Sequence, residues 1–371
     1  MNVNRILCVR EEDTVTTLRG FLSAWWEHLG LDAMLAPVES AEQHGVTSQV
    51  IDSPVGLAAV NPFAPVMLSN AAAAVEEFIR DHPSRRLAIM LRPCELRTLV
   101  ELNKRRRVFA YAPGSDGSDD NLVIIGVDCP GTYPAAEFIE RVDEHGIDAV
   151  TRELLIYGVE DSSILKQLRT ACQVCDRPAP SNADITIGAI GVDPQQFLLV
   201  IARDEATYAR LGLHEVTDRL ATEEQVVRRE MMVDAIADKR VARRISMTDS
   251  DTRRFGDFCS LLACFARCTL CADCLDACPL YEGELTGMLG VGSTYEHGRP
   301  LLPELVGVVR WLASCSGCGM CQEACEYGVP LAELISSLSH RIHDEIHYTA
   351  GDPTQRLPWG VGQPRLRHTP S

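Results

Sequence analysis

Two short stretches of the chain hold cysteines at intervals suited to inorganic chemistry. Residues 268–279 read CTLCADCLDACP and residues 315–325 read CSGCGMCQEAC, each with four cysteines separated by two, two and three residues. Three thiolates two residues apart can reach one [4Fe–4S] cube from a single tight turn. The fourth, three residues further on, points towards a neighbouring cube. Ligation is therefore expected to be crossed, with one cube on Cys268, Cys271, Cys274 and Cys325 and another on Cys315, Cys318, Cys321 and Cys278. Zinc also accepts four cysteines, but zinc ribbons pair one CxxC with another and have no use for a third regularly spaced thiolate.

Four further cysteines suggest a third site. Residues 87–91 (LAIML) form a short, wholly apolar run suited to a strand buried on both faces, and Arg92, Pro93 and Cys94 follow it. Pro93 suits a first helical position and Leu96, Leu99 and Val100 supply the apolar stripe, so Cys94 is expected at a helix N-terminus, where the macrodipole favours a thiolate. Residues 122–127 (LVIIGV) are a second such strand, and Cys129 lies just past its end. If both strands belong to one parallel sheet, both cysteines emerge at its carboxyl edge, where open α/β sheets bind ligands. The CQVC of residues 172–175 adds Cys172 and Cys175 from one turn, and ADITIGAIG reads as the next strand. Any one of these cysteines alone is equally well explained as a buried small hydrophobe, and a redox-active disulfide is an alternative to a cluster. The set of four points to a site. Cys8, Cys259 and Cys264 are expected in the core.

To position these cysteines, a helix is expected after Asp13, with Val15, Leu18, Phe21, Leu22, Trp25, Trp26 and Leu29 at helical spacing and Gly30 closing it. A second helix is expected over residues 69–80, a strand over 197–202 (FLLVIA) and a long charged helix over 222–245. Helical patterns also occupy LLPELVGVVRWLA before the second cysteine motif and VPLAELISSLSHRIHDEI after it. The fold class expected is an α/β N-terminal domain with a mixed or parallel sheet, residues 1–245, followed by a mainly α-helical domain with two [4Fe–4S] clusters, residues 246–348. A flexible tail, rich in proline and glycine, is expected over residues 349–371.

The two regions resemble known families. RPCELR at residues 92–97, the cysteine in IGVDCPG, and CQVC followed by ADITIG resemble the beta subunit of coenzyme F-420-reducing hydrogenases and dehydrogenases, over roughly residues 1–245. The resemblance implies a [4Fe–4S] cluster on Cys94, Cys129, Cys172 and Cys175 beside FAD, with Asn61, Arg92 and Pro93 near the flavin, and hydride exchange with F-420. Two departures stand out. Where the family carries a Gly-Gly-Val-Thr-like turn, this chain has Glu12-Asp13-Thr14-Val15-Thr16, and the ferredoxin-like module follows the α/β region here, whereas many members place it before. An Arg-Pro-Cys-Asp turn also occurs in electron-transfer subunits of anaerobic sulfite reductase and sulfhydrogenase. The C-terminal region resembles the helical di-cluster ferredoxin module of succinate dehydrogenase and heterodisulfide reductase iron–sulfur subunits.

Composition narrows the class of partner. The chain has 371 residues, 46% of them hydrophobic, so it can fill two or three domain cores. Fifteen cysteines in a chain without a secretory signal favour ligation over disulfides, and the expected location is the cytoplasm, with no transmembrane segment. A formal net charge of −17 argues against nucleic acid. No GxGxxG follows a strand, so a Rossmann NAD site is unsupported. The basic run Lys104-Arg105-Arg106-Arg107 reads first as a solvated helix end and second as a holder for the phosphate or polyglutamate of F-420. His340, His343 and His347 read as an exposed helix face, not a metal site.

The function expected is that of an iron–sulfur flavoprotein electron-transfer subunit of an anaerobic formate dehydrogenase- or hydrogenase-type complex. It would couple hydride exchange at a flavin to a one-electron relay through three [4Fe–4S] clusters, with a catalytic dehydrogenase or hydrogenase subunit as partner. The alternative is a flavin-free iron–sulfur adaptor of a heterodisulfide-reductase-like or sulfite-reductase-like complex.

Overall fold

The computed structural model describes residues 2–40, 45–82, 84–106, 121–158, 161–255, 258–281 and 301–359. Its strands are β1 (Val3–Cys8), β2 (Ala33–Ser40), β3 (Gly45–Ile51), β4 (Leu87–Leu91), β5 (Leu122–Val127), β6 (Ile185–Gly188), β7 (Phe197–Ala202) and the two-residue β8 (Arg219–Leu220). They form one sheet in the order β3-β2-β4-β5-β6-β7-β1-β8. β2, β4, β5 and β6 run parallel in a block, and β3, β7 and β8 each pair antiparallel, so the sheet is mixed.

The apolar runs at 87–91 and 122–127 are buried throughout, as strands covered on both faces must be. Alternation sorts their side chains. Ala88, Met90, Val123 and Ile125 join one core with α1 (Thr14–Leu29), whereas Leu87, Ile89, Leu91, Leu122 and Ile124 join a second with α2 (Ala72–Asp81) and α3 (Pro93–Arg106). Asp13 caps α1 by accepting from the Thr16 N–H at 2.9 Å, and Gly30 closes it in the left-handed region. Helix α2 begins three residues later than its sequence suggests because residues 69–71 form an Asn70-anchored turn.

Short helices cover the central loops: α4 (Ala135–His145), α5 (Ile147–Tyr157), α6 (Ser162–Gln167), α7 (Thr170–Gln173), α8 (Glu205–Arg210) and α9 (Leu213–Val216). The long charged helix α10 (Glu223–Phe255) runs ten residues past the expected boundary at 245, so the chain passes between its two regions as continuous helix. Beyond it lie α11 (Phe258–Cys264), α12 (Asp273–Asp276), α13 (Leu301–Ala313), α14 (Met320–Glu323) and α15 (Leu331–Ile346). No helix among the described residues is long and apolar enough to cross a membrane.

Three expectations change. Cys8 and Cys259 are exposed and Cys264 is half-buried, so they are not core residues; Cys8 ends β1 with its side chain turned from the core face that Leu7 occupies. Residues 348–351 are not loose. Tyr348 and Ala350 are buried, and the Gly351 N–H donates to Glu101 at 2.8 Å. The basic run is only partly a solvated end: Lys104 donates to Glu101 and to Tyr348, both within 2.8 Å, and Arg105 donates to the Leu280 carbonyl, whereas Arg106 is exposed and pairs with Glu76 at the surface. Arg107 and residues 360–371 lie outside the described residues.

Candidate functional site

β4 and β5 are adjacent and parallel, so the segments that follow them leave the sheet at the same edge. Pro93 opens α3, and Glu95 fixes the turn before it, accepting from the Arg92 N–H at 2.8 Å and the Ala71 N–H at 3.1 Å. Cys94 thereby sits in the first turn of α3. Cys129 follows Asp128, which is held by Arg229 of α10 at 2.7 Å and accepts from the N–H groups of Ala189 and Ile190. Cys172 and Cys175 come from α7 and the residues after it. The four cysteines line one small cavity together with Arg169, Arg177, Arg240 and the Gly317–Cys318 turn of the C-terminal region.

Four arginines surround these thiols. Arg92, Arg97, Arg169 and Arg240 are all buried, at 6% exposure or less. Arg97 Nη2 stands 3.6 Å from Cys175 Sγ and Arg169 Nη2 stands 3.9 Å from Cys172 Sγ. Arg240 donates to the carbonyls of Cys175 and Pro130, and Arg92 to the Ala64 carbonyl at 2.9 Å. Among the described residues none of the four guanidiniums makes an ion pair with a carboxylate. Burial pushes the Cys94 thiol well up and Cys129 to about 11, while Arg92 and Arg240 work against the rise at Cys129. Burial would also raise Cys175, yet Arg97 and Arg240 bring it below the ordinary thiol value.

The two C-terminal motifs are interleaved. Cys274 is raised by burial and then by the charges of Cys325, Cys268 and Cys271. Cys315, pushed by burial to about 12, feels Cys318 and Cys278, and Cys321 feels Cys315, Cys318, Cys278 and Cys274. Each motif's fourth cysteine thus stands with the other motif's first three. Trp311 donates its indole N–H to Cys278 Sγ at 3.3 Å. Among the described residues no three His, Cys, Asp or Glu side chains close on a single metal ion.

The expected flavin contacts are committed to other partners. Asn61 is fully buried, its Nδ2 donating to Glu39 at 2.8 Å and Thr151 at 3.3 Å and its Oδ1 accepting from the Phe63 N–H. Arg92 and Pro93 are buried in the turn already described. A roomy cavity of about 630 Å³ does open at the end of β1 and the start of α1, but Glu11, Asp13, Glu215 and Asp218 face Arg10 alone across it, a poor lining for a diphosphate. These residues do not fit FAD. His340 and His343 are half-buried, and His343 donates to the Ala313 carbonyl at 2.7 Å, so they pack α15 against α13; only His347 is exposed.

Sequence spacing held a signal for two of the unanticipated residues. Arg97 lies three residues after Cys94 and Arg169 three before Cys172, one helical turn each. Arg240 carries no local signal, because it reaches the site only through the docking of α10.

The fold and the cysteine arrangement define a class: a mixed α/β sheet with thiols at one edge, joined to a helical region with two interleaved four-cysteine motifs. Comparison with known proteins shows what the chain is similar to. Residues 84–227 match the family model for the C-terminal part of the coenzyme F420 hydrogenase/dehydrogenase beta subunit. The chain is 29% identical over 139 residues to the F420-dependent formate dehydrogenase 1 subunit beta of Methanococcus maripaludis, a match spanning 32% of this chain and 32% of that protein. It is 21% identical over 315 residues to the F420-dependent formate dehydrogenase subunit beta of Methanocaldococcus jannaschii, covering 76% of this chain and 77% of that one. Among solved structures, a chain of the F420-reducing NiFe hydrogenase complex from Methanosarcina barkeri aligns over 70% of this chain and 93% of its own, with a TM-score of 0.48 and 11% identity. The family and curated matches support the beta-subunit family for the α/β region.

Proposed function

We propose that this chain is an electron-transfer subunit of an anaerobic oxidoreductase complex of the formate dehydrogenase or hydrogenase type, with [4Fe–4S] clusters at three four-thiol sites. One observation carries the reading: four buried guanidiniums, free of carboxylate partners among the described residues, ring four thiols. Buried cations with no carboxylate in contact are unfavourable, Arg97 and Arg169 feeling only the more distant charges of Asp176 and Glu323 besides the thiols, and a four-thiolate cluster is the anion that this donor set can hold. Thiols as hard to ionise as Cys94 and Cys129 are ionised by the metal they bind.

Cys94, Cys129, Cys172 and Cys175 would hold the central cluster, Cys315, Cys318, Cys321 and Cys278 the middle one, and Cys268, Cys271, Cys274 and Cys325 the outer one. Bound there, such clusters store and pass single electrons. The protein orders them: Cys318 lines the central site, and Cys321 of the middle set feels Cys274 of the outer set. Taken from the relatives, the carrier at one end is coenzyme F-420 or a similar hydride carrier, whose hydride would have to be split into single electrons by a flavin held by residues other than Asn61, Arg92 and Pro93, and the partner at the other end is a catalytic dehydrogenase or hydrogenase subunit.

A second reading is a flavin-free adaptor of a heterodisulfide-reductase-like or sulfite-reductase-like complex, and the poor fit of FAD to Asn61, Arg92, Pro93 and the acid-lined cavity favours it. Anaerobic purification with iron, sulfide and flavin quantification separates the two. About twelve irons with one FAD supports hydride coupling; about twelve with no flavin supports the adaptor. Iron near eight per chain overturns the central cluster and leaves a disulfide there.

A further inference from the structure

Gly317, Cys318 and Gly319 form a turn of the C-terminal region that presses into the central site. Gly319 has φ +74, and a Cβ there would lie 2.4 Å from the Cβ of Ala171 in α7, so only glycine permits this approach. Cys318 lines the cavity of the four central thiols and is among the charges felt by Cys94. Two arginines flank the turn, and each touches both partners. Arg97 donates to the Ser316 carbonyl from Nε at 3.1 Å and Nη2 at 2.9 Å while its Nη2 faces Cys175 Sγ at 3.6 Å. Arg169 places Nη1 3.5 Å from Met320 Sδ and Nη2 3.9 Å from Cys172 Sγ, and its Nε donates to Thr132 at 2.7 Å. The Thr98 hydroxyl, 2.8 Å from that of Ser316, adds a third tie on the Arg97 side.

We propose that Arg97 and Arg169 are positioning residues that clamp the Cys318 turn against the central four-thiol site and make it the crossing point for electrons between the α/β region and the helical module. The inference rests on the cluster reading given above. A charge ring alone would need only cations nearby. The forked guanidinium of Arg97, with two donors on one backbone carbonyl and one facing a thiol of the other site, fixes a distance as well as a charge. The same cations would stabilise the extra negative charge of a reduced cluster held by the four central thiolates, and so would raise its potential.

The test is an EPR-monitored redox titration of the anaerobically purified full chain, with iron counted on each sample. Arg97→Met is expected to shift the central site's reduction equilibrium about tenfold towards the oxidised form, about 59 mV for one electron, with iron content unchanged. Arg97→Lys keeps the charge and loses the fork, so the potential should hold while the magnetic interaction between the central and middle clusters weakens. Gly319→Ala leaves both arginines in place and forces the turn away from Ala171, and should remove that interaction with little change in potential. If the variants keep full iron and neither potential nor interaction moves, the clamp is overturned while the cluster reading stands. A wild-type chain whose iron and spectra show no central cluster overturns both. If Arg97→Met does not fold, the lysine and Gly319 variants decide the matter alone.

Discussion

The central and outer thiol sets use the same side chain in opposite surroundings. The central four are half-buried residues in a cavity of about 30 Å³ walled by arginines, and at Cys129 and Cys175 burial raises the thiol while guanidinium charge lowers it. In the outer set Cys268 and Cys271 are exposed, and what raises Cys274, after burial, is the other three thiols of its set. A dry site must bring its own counter-charge, because at low dielectric an unbalanced group is heavily penalised; a wet one leaves the task to solvent. Under the proposed relay, the exposed Cys268 and Cys271 would put the outer site at the end that a partner's redox centre approaches.

The sharpest way to break this comparison is to remove one thiol from each set. Cys175→Ser is expected to lose the central cluster and, by leaving Arg97 and Arg240 facing no thiolate, to destabilise the α/β region by about 3–5 kcal/mol. Cys271→Ser should lose its cluster with little change in the denaturation midpoint of that region. Equal midpoints for the two variants would show that the arginines are not balanced against the thiols. A comparable loss is expected for Glu101→Ala. Glu101 is fully buried and accepts from Lys104 at 2.8 Å, from Tyr348 at 2.7 Å and from the Gly351 N–H at 2.8 Å, clasping residues 348–351 onto α3. Removing it strands Lys104 and should cost about 3–5 kcal/mol in urea unfolding, with the outer irons retained. A variant that unfolds like wild type would mean that the clasp does not hold the module in place.

Chelation offers a milder probe. With an iron chelator under mild oxidation, about four of about twelve irons should leave in a fast phase, and Cys268 and Cys271 should be the first thiols to react with a maleimide. A roughly tenfold separation from the remaining irons is expected. A single phase would remove the distinction between wet and dry sites.

The central strands were legible because they are short apolar runs with no competing period, whereas β2, β3 and β8 were not anticipated, and the position of Cys94 and Cys129 at one edge follows from β4 and β5 being parallel neighbours. The spacing of two, two and three predicts that each motif's fourth cysteine joins the other motif, and the charge of Cys325 acting on Cys274 and that of Cys278 acting on Cys315 and Cys321 agree with that expectation. Other features depend on contacts between distant parts of the chain. Arg240 arrives on α10 from 65 residues beyond Cys175, the carbonyl its side chain reaches. The tail 348–351 reads as a loose, glycine-bearing end, but Glu101, 247 residues before Tyr348, gives it a buried acceptor. Lys104 and Arg105 look solvated in sequence for the same reason: their acceptors, Tyr348 and the Leu280 carbonyl, belong to the helical module. Asn61 precedes a proline as a nucleotide contact might, but folding commits its amide to Glu39 and Thr151.

The smallest effect expected is a pH dependence at the seam between the two regions. Burial lowers His340 from 6.5 to about 4, with Arg244 adding to the shift and Asp176 opposing it, and burial likewise lowers His343. Below its unfolded value the unfolded chain takes up a proton that the folded chain refuses. The stability that neutral His340 provides is therefore complete above about 6.5 and is lost progressively as pH falls towards about 4. Because the ring is only partly shielded, the loss is about 1–2 kcal/mol and not the full value of the shift. In wild type the urea midpoint should be lower at about pH 5 than at about pH 7, on samples whose iron content is unchanged between them, and in His340→Gln it should stay nearly level. If both proteins weaken in parallel, the acid sensitivity belongs to other groups, and the packing of α15 beside Asp176 and Arg244 has no part in it.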